Sequence, residues 1–356
     1  ENSMPLPTDR VVASISKSAI KRNLEFFREN TDGKKVFAVL KAACYGHGES
    51  LIPYASSLSD GVAVATIEEG ISVRRYNRDK PVLILGFVPI DLIPSAVEND
   101  LSITVFSLEY ARAANDICRK IGKKIKVHVK INTGMNRLGF SCFSTEIYEL
   151  FFLKNLRFEG IFSHYAVSEN DNKTAFCEQT EKFVLATEKL KNYAEFDYVH
   201  IASTHSANRN SVGNAVRIGY GLYGYGRNGL TPALSLRAAV VQTRTVNKGE
   251  CVGYDYTFYA PQKTKIATIS VGYGDGYPRS LSGKGKVVYN GEFLPIIGRI
   301  CMDMASIDVK KTDVEVGSYV TILGSDNGKT VTAEDIGFGY ETLCRIAPRV
   351  KKILID

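Results

Sequence analysis

Eight short runs of β-branched and apolar residues recur at even intervals before residue 230. Amphipathic segments, such as residues 107–122 and 174–196, separate most of them and carry apolar residues at helical spacing. The runs cover residues 35–41, 61–67, 81–87, 102–107, 125–132, 158–164, 198–204 and 215–224. Eight strands that alternate with helices over about 230 residues predict a (β/α)8 barrel, an α/β fold with a parallel sheet.

A second domain is predicted after the barrel, because the sequence beyond residue 235 becomes rich in Val, Thr and Gly and contains turn dipeptides such as Asn290-Gly291. Short alternating strands joined by such turns are typical of a mainly antiparallel β domain. We therefore predict a barrel over residues 10–235 and a β domain over residues 236–356. An N-terminal strand within residues 1–16 is expected to join the second domain.

Composition narrows the classes of function. No apolar stretch reaches the roughly 20 residues needed to span a bilayer, and the first ten residues lack the apolar segment of a secretory signal. Seven widely spaced cysteines without a CxxC pair indicate a reducing, cytoplasmic setting rather than a disulfide framework or a metal site. The net charge of +7 is interspersed along the chain, which favours a solvated surface over a nucleic-acid interface.

Reactive side chains collect near the carboxyl ends of the predicted strands, where barrels place their functional groups. The candidates are Lys41, Lys130, His164, His200, Ser203, Thr204 and Arg217. The loops after the seventh and eighth strands offer hydroxyls and, in residues 219–224, glycine-rich backbone N–H groups, the usual phosphate cradle of this fold. Each residue alone is typical of an ordinary surface or core position. Together, a lysine on the first strand and a phosphate cradle across the barrel mouth suggest pyridoxal phosphate.

Seven segments between residues 36 and 304 carry a family resemblance. In chain order they read VLKAACYGHG, KINTGMNRLGF, FSHYAVSEND, VRIGYGLYG, PALSL, VGYGDGYPR and GRICMDM. In these segments the chain resembles the alanine racemase family, pyridoxal-phosphate enzymes that combine a barrel with a β domain and act as head-to-tail homodimers. The resemblance implies an isomerase that interconverts L- and D-alanine and supplies D-alanine for peptidoglycan.

The resemblance also implies roles for individual residues. Lys41 would carry the cofactor and act as the first base, and the partner subunit's Tyr273 would act as the second. The phosphate would be held by Tyr45, Ser203, Thr204, Gly219 and Tyr220. The cofactor's phenolic oxygen would contact Arg137 and its pyridine nitrogen Arg217, with His164 and His200 as further members of a polarising chain. Met302 and Asp303 would lie at the substrate end and entrance, and Lys130 matches a lysine that is often carbamylated in the family.

These roles make chemical sense for racemisation, which needs a base on each face of the α-carbon. Lysine and tyrosine titrate near 10 in water, so both need neighbouring cations to act at neutral pH. An arginine beside the pyridine nitrogen keeps that nitrogen unprotonated, which disfavours transamination.

Three positions, Ala43, Ser203 and Arg345, depart from the family's usual pattern near the cofactor phosphate and the substrate methyl group. Serine or mixed alanine and serine racemisation, as in the racemases of vancomycin resistance, therefore stays an alternative, since an apolar pocket rejects a hydroxyl only weakly. Two other classes are less favoured. A non-catalytic pyridoxal-phosphate binding protein of this type lacks a second domain, and a decarboxylase of basic amino acids needs a Cys-Asp motif that the β domain does not carry.

Overall fold

The computed structural model describes residues 8–168, 170–309 and 312–356, which divide into two units. The barrel unit comprises Ala19–Cys44 and Leu51–Thr231. The β unit comprises the chain up to Ser18 together with Tyr45–Ser50 and Pro232–Asp356. The domain boundaries expected at residues 235 and 236 stay predictions. Among the described residues, no helix has both the length and the apolar character needed to cross a membrane.

The chain opens with β1 (Val11–Ser16) and α1 (Lys17–Asn30). The strands that follow in the barrel unit are β2 (Lys35–Val39), β3 (Gly61–Val64), β4 (Val82–Ile84), β5 (Ser102–Val105), β6 (Ile125–Asn132), the short β7 (Phe140–Ser141), β8 (Leu156–Phe162), β9 (Tyr198–His200) and β10 (Ala215–Ile218). The helices between them are α2 (Ile52–Leu58), α3 (Ile67–Arg74), α4 (Ile93–Glu98), α5 (Leu108–Lys120) and α6 (Lys173–Leu190).

Eight of these strands form the predicted parallel barrel, in the order β10-β2-β3-β4-β5-β6-β8-β9. β3 and β5 are buried along their whole length, as expected of parallel strands that are covered on both faces. The ring is nearly closed between β9 and β10. There Ser203 forms a parallel bridge with Arg217, whose N–H donates to the Ala202 carbonyl at 3.1 Å.

All predicted barrel strands except β6 end earlier than the sequence pattern indicates. β2 stops at Val39 instead of Lys41, because the buried Tyr223 hydroxyl donates to the Val39 carbonyl at 2.9 Å and the backbone then turns. Three further ends precede predicted site residues: Phe162 in β8, His200 in β9 and Ile218 in β10. His164 and Ser203 therefore lie in loops. Burial continues into these loops at the barrel mouth, so an apolar run overestimates the length of each strand.

The β unit contains the predicted, mainly antiparallel domain. Its strands are β11 (Leu234–Val246), β12 (Cys251–Val252), β13 (Phe258–Tyr259), β14 (Thr264–Ile269), β15 (Lys286–Tyr289), β16 (Glu292–Ile297), β17 (Ala305–Asp308), β18 (Tyr319–Asp326), β19 (Lys329–Val331) and β20 (Lys351–Ile355), with helices α7 (Ala333–Ile336) and α8 (Gly339–Cys344). Nine strands form one sheet, in the order β19-β18-β15-β16-β17-β14-β11-β1-β20. In it, β1 is antiparallel to β11 and parallel to β20.

The long strand β11 organises this sheet. A register shift between Val240 and Gln242 lets its first half pair with β1 and β18 and its second half with β14. Its last residue, Val246, belongs to a buried cluster with Val252, Ala260, Ile266 and Ile297. Two loops leave the neighbouring strands: Tyr273 follows β14, and Met302 precedes β17. The sheet therefore fixes the start of the two loops that carry predicted site residues.

Candidate active site

Lys41 stands immediately before an unusual turn. Residues 42–45 all have φ between 49° and 56°, the left-handed conformation, although none of them is glycine. For an L-residue this conformation costs about 1 kcal/mol or more. The turn therefore persists only because other contacts hold it.

One of these contacts comes from the carboxylate of Glu69 in the first turn of α3. Its Oε1 accepts the Ala42 N–H at 2.6 Å, and its Oε2 accepts the Ala65 N–H at 2.7 Å and the Thr66 N–H at 3.2 Å. Thr66 and Glu69 also form the capping box of α3. The same carboxylate thus ties the residue after Lys41 to the loop between β3 and α3.

The next residues, Tyr45–Ser50, belong to the β unit. Gly46 has φ of 79°, and a Cβ there would lie 1.9 Å from the Leu343 carbonyl oxygen, so only glycine fits. The Tyr45 ring is buried, with its centroid 6.4 Å from that of Tyr340. Burial raises the pKa of Tyr45 above its ordinary range. Its hydroxyl therefore stays protonated and can donate a hydrogen bond.

Arg217 in β10 is the centre of the barrel site. Its guanidinium is buried and donates to Nδ1 of His200 and, at 3.1 Å, to Nδ1 of His164. It also donates to the carbonyls of Ser163 at 2.8 Å and Ile201 at 3.1 Å. The fold thus brings together three predicted site residues from the ends of β8, β9 and β10.

Of the three side chains in this centre, only Arg217 is charged at neutral pH. Burial, together with the nearby charge of Arg137, lowers the pKa of Arg217 to about 9, so the guanidinium remains charged at neutral pH. Burial and the Arg217 charge lower the pKa of His164 to about 2 and that of His200 well below its ordinary range. Both histidines are therefore neutral. The centre is a buried cation between two neutral imidazoles.

Lys130 in β6 is also buried, and its ammonium nitrogen lies 4.3 Å from the centroid of the Phe162 ring. Burial and the charges of Arg217 and Arg137 lower the pKa of Lys130 well below its ordinary range. Arg137 itself lies in the exposed loop between β6 and β7. A buried lysine under these conditions favours the neutral amine.

The candidate phosphate cradle lies in the loops after β9 and β10. Thr204 is buried, and its Oγ1 accepts the Gly221 N–H at 3.0 Å. A Cβ at Gly221 would lie 2.5 Å from the Phe27 ring, so the backbone here cannot carry a side chain. Gly219 and Tyr220 begin the 3₁₀ turn in the same segment. Hydroxyl groups and backbone N–H groups of a glycine-rich turn are donors that suit a phosphate.

In the β unit, Tyr273 begins a 3₁₀ turn and is 43% exposed. Its N–H donates to the Cys301 carbonyl at 3.1 Å, and the Gly274 N–H donates to the Met302 carbonyl at 2.8 Å. The predicted second base and the predicted entrance residue Met302 therefore sit on two loops that are hydrogen-bonded to each other.

Asp275 fixes these two loops. Its buried carboxylate accepts the Gly272 N–H at 3.0 Å and the Arg349 Nε–H at 2.8 Å. Arg349 then pairs with Asp303 at 2.8 Å. The backbone on both sides of Tyr273 is thus anchored to the predicted entrance residue Asp303 through one arginine.

Sequence reasoning missed Glu69, Asp275 and Glu159, which hold the predicted site residues or the groups beside them. A signal existed for Glu159, since a carboxylate in the middle of an apolar strand needs a buried partner. Of the positions that depart from the family pattern, Arg345 is exposed and pairs with Glu341 at 2.8 Å, and Ala43 lies in the left-handed turn.

These residues fit pyridoxal phosphate. The barrel unit supplies a lysine at a strand end, a buried guanidinium that faces neutral imidazoles, and a glycine-lined cradle of hydroxyl and N–H donors. A lysine is the group that forms the covalent link to this cofactor, and an arginine can contact its ring nitrogen. The fit to the cofactor rests on all of these groups together and not on any one residue.

Known proteins resemble this chain over nearly its whole length. A family model described as alanine racemase, N-terminal domain, matches residues 15–227, and one described as alanine racemase, C-terminal domain, matches residues 233–354. Alanine racemase 2 of Caldanaerobacter subterraneus subsp. tengcongensis is 38% identical, covering 91% of this chain and 89% of its own. A solved alanine racemase of Clostridium difficile 630 superposes with a TM-score of 0.91 at 31% identity, covering 98% of this chain and 96% of its own. An alanine racemase of Bartonella henselae with covalently bound pyridoxal phosphate gives a TM-score of 0.85 at 26% identity, covering 97% and 99%. The chain belongs to the alanine racemase family.

Proposed function

We propose that this chain is a pyridoxal-phosphate-dependent isomerase that interconverts L- and D-alanine and so supplies D-alanine for peptidoglycan. The observation that carries the proposal is the buried guanidinium of Arg217, held between the neutral imidazoles of His164 and His200 at the mouth of the barrel. Such a cation is costly to bury and is retained where a ligand uses it.

The cofactor's phosphate is assigned to Tyr45, Ser203, Thr204, Gly219 and Tyr220, and its ring nitrogen to Arg217. Pyridoxal phosphate, when bound, withdraws electrons from the substrate's α-carbon and so acidifies the α-proton. Arg217 limits this effect, because a guanidinium that stays charged at neutral pH keeps its protons and leaves the ring nitrogen unprotonated. We expect this arrangement to favour return of the proton over transamination.

Two bases are assigned to the proton transfers. Lys41 carries the cofactor, and its Nζ takes and returns the α-proton on one face, while the Oη of Tyr273 serves the other face. Arg137 is assigned to the cofactor's phenolic oxygen. Met302 and Asp303 are assigned to the substrate entrance.

We further propose that Lys130 carries a carbamate. Its neutral Nζ would attack the carbon of CO2, forming an N–C bond while one C–O π bond breaks and a proton leaves to solvent. The support is that burial and two arginine charges lower the pKa of Lys130, which makes the amine a better nucleophile at neutral pH. The resulting anion would offset part of the Arg137 charge.

The active unit is proposed to be a homodimer in which the partner subunit's Tyr273 completes each site. The support is the family resemblance together with the 43% exposure of the Tyr273 side chain on the β unit. We also propose the division into residues 10–235 and 236–356 and, from the widely spaced cysteines, a cytoplasmic location.

Alanine is favoured over serine because the relatives described above are named alanine racemases. A chiral assay of L-alanine, L-serine and L-lysine side by side tests this. We expect D-alanine to form fastest. Faster formation of D-serine, or release of CO2 from lysine, would overturn the assignment of substrate or of reaction.

The cofactor lysine is tested separately. Borohydride reduction of the holoenzyme followed by peptide mapping should place the pyridoxyl group on Lys41. A label on Lys130, the other lysine of the barrel site, would show that Lys41 does not carry the cofactor.

A further inference from the structure

The hydrogen bonds of Arg217 continue into the barrel beyond the proposed cofactor site. Nε2 of His200 lies 3.0 Å from Nδ1 of His128, and Nε2 of His128 lies 3.2 Å from Oε2 of Glu159. The Ser102 hydroxyl donates to the same carboxylate oxygen. Both histidines are fully buried, and Glu159 is 5% exposed. Two imidazoles thus link the guanidinium in β10 to a carboxylate in β8.

The hydrogen bonds in this series can be directed in only one way, from Arg217 toward Glu159. A guanidinium has donors and no acceptor, so Nδ1 of His200 must accept from Arg217 and the proton of neutral His200 must sit on Nε2. That proton is donated to Nδ1 of His128, whose own proton must then sit on Nε2. The His128 proton is donated to the carboxylate of Glu159. The carboxylate is the acceptor at the end of this series of hydrogen bonds.

The surroundings are built to hold this arrangement. The His200 ring lies between the rings of Phe37 and Phe162, with centroids 5.8 Å and 5.0 Å away and interplanar angles of 13° and 11°. A Cβ at Gly160 would lie 2.4 Å from Nδ1 of His128, so the glycine beside Glu159 makes room for that imidazole. The stacked rings prevent His200 from turning to exchange its two nitrogens.

We propose that Glu159 is a positioning residue for the racemase: it fixes His128 and His200 as Nε2–H tautomers and thereby keeps an acceptor aimed at Arg217. The proposal rests on the role given above to Arg217 in the proposed function. Without the carboxylate, only Arg217 holds the two imidazoles in this order. The alternative with both protons on Nδ1, in which the His200 Nδ1–H opposes the Arg217 N–H, then loses its second penalty and becomes populated. The guanidinium would lose the contact that orients it.

The carboxylate of Glu159 in β8 does not maximise the stability of the fold, because packed apolar side chains often stabilise a protein as much as buried charges or more. Burial acts to raise the pKa of Glu159, but the hydrogen bonds from His128 and Ser102 and the nearby charge of Lys126 act in the other direction, and the pKa is lowered. Glu159 is therefore ionised at neutral pH. A residue that only filled space in β8 would not need to accept these two hydrogen bonds.

The test is 15N NMR of the pyridoxal-phosphate-loaded enzyme labelled at its five histidines, assigned by single substitutions. Ring nitrogens with and without a proton resonate in separate regions, so the tautomer is read directly. We expect His128 and His200 to be Nε2–H in the wild type.

In Glu159→Leu both imidazoles should lose this single tautomer. The kcat should fall roughly tenfold, the lower end of what an outer hydrogen-bond partner contributes at metal sites. KM should change by less than about twofold, as for a loss confined to the transition state.

Two variants separate this effect from a general loss of stability. Glu159→Gln keeps an acceptor oxygen and should retain the tautomers and most of kcat. Ser102→Ala removes a hydrogen bond from the same carboxylate without touching the imidazoles and should keep both tautomers. A proton on Nδ1 of His200 in the wild type, or unchanged tautomers in Glu159→Leu, would overturn the inference. If the proposed function alone were wrong, the wild type would show the predicted tautomers but no racemisation. This result differs from every result that would overturn the inference about Glu159.

Discussion

At the scale of single residues, the two oxygens of Glu69 have separate tasks. Oε1 holds the Ala42 N–H just after Lys41, and Oε2 holds the N–H groups of Ala65 and Thr66. An amide cannot replace this carboxylate, because one of its two ends is a donor and would face an N–H. The left-handed turn beside Lys41 therefore depends on a charge in the next helix.

We predict that Glu69→Gln weakens this turn. Losing one hydrogen bond to a charged acceptor costs about 1.5 kcal/mol, so the Ala42 amide should exchange with solvent roughly tenfold faster. Hydrogen–deuterium exchange resolved to this segment measures the change. Glu68→Gln is the matched control, since Glu68 is exposed on the same helical turn. Equal exchange in both variants would show that Glu69 does not hold the turn.

A second residue-scale prediction concerns pH. The pKa of His164 is about 2 in the folded chain, because of burial and the charge of Arg217, against about 6.5 when unfolded. Between these values the unfolded state binds more protons, so stability falls as pH falls below about 6.5, by up to about 1.4 kcal/mol per pH unit.

Urea unfolding between pH 6 and pH 4.5 tests this sign. His164→Asn keeps an acceptor for Arg217 but cannot be protonated, so its stability should depend less steeply on pH, by about one proton. His205→Asn, at an exposed position, serves as the control and should keep the wild-type slope. An unchanged slope in His164→Asn would mean that His164 takes up its proton equally in both states.

At the scale of secondary-structure elements, the turn that carries Tyr273 is rigid because of its neighbours. Asp275 closes the turn on the Gly272 N–H and binds Arg349, which reaches the Met302 carbonyl and Asp303. The isolated turn has three residues and no such stability of its own. The position of the Tyr273 hydroxyl thus depends on the ion pair between the buried carboxylate of Asp275 and the partly exposed Arg349.

We therefore predict that Asp275→Asn lowers kcat for racemisation by roughly 10- to 100-fold, the scale of a displacement of about 1 Å in a catalytic group. The amide loses the charge that binds Arg349 while keeping the shape. Asp313→Asn, at an exposed position of the same unit, is the control for charge removal. Wild-type kcat in Asp275→Asn, with Tyr273 still required, would show that the ion pair does not position the turn.

The elements also show how far sequence reasoning reaches. The eight barrel strands were predictable because parallel strands buried on both faces read as apolar runs. Their ends were not, since the buried loops beyond them look the same. The turn at residues 42–45 carries no local signal, because Ala-Ala-Cys-Tyr has no preference for positive φ and the turn is imposed by Glu69. The contact of Glu159 with His128 joins residues 31 positions apart, which no spacing rule reveals.

At the scale of the whole molecule, the proposed chemistry is divided between the two units. The barrel unit holds Lys41 and Arg217, and the β unit holds Tyr273. If the partner subunit's Tyr273 completes the site, activity requires the dimer, and each direction of racemisation begins at a different base. The two-base mechanism is the central claim.

Exchange of the α-proton in D2O by Tyr273→Phe tests this claim most directly. Racemisation should fall in both directions by about 10²- to 10⁴-fold, the usual loss of a general base, because each turnover needs both groups. The family resemblance implies that Lys41 serves the α-proton of the D-enantiomer and Tyr273 that of the L-enantiomer. D-Alanine should therefore still exchange its α-proton with retention, since Lys41 alone removes and returns that proton, whereas L-alanine should not exchange. Tyr193→Phe, exposed on the barrel unit, should behave as the wild type. Equal residual exchange from both enantiomers would mean that one base serves both faces and would contradict the account.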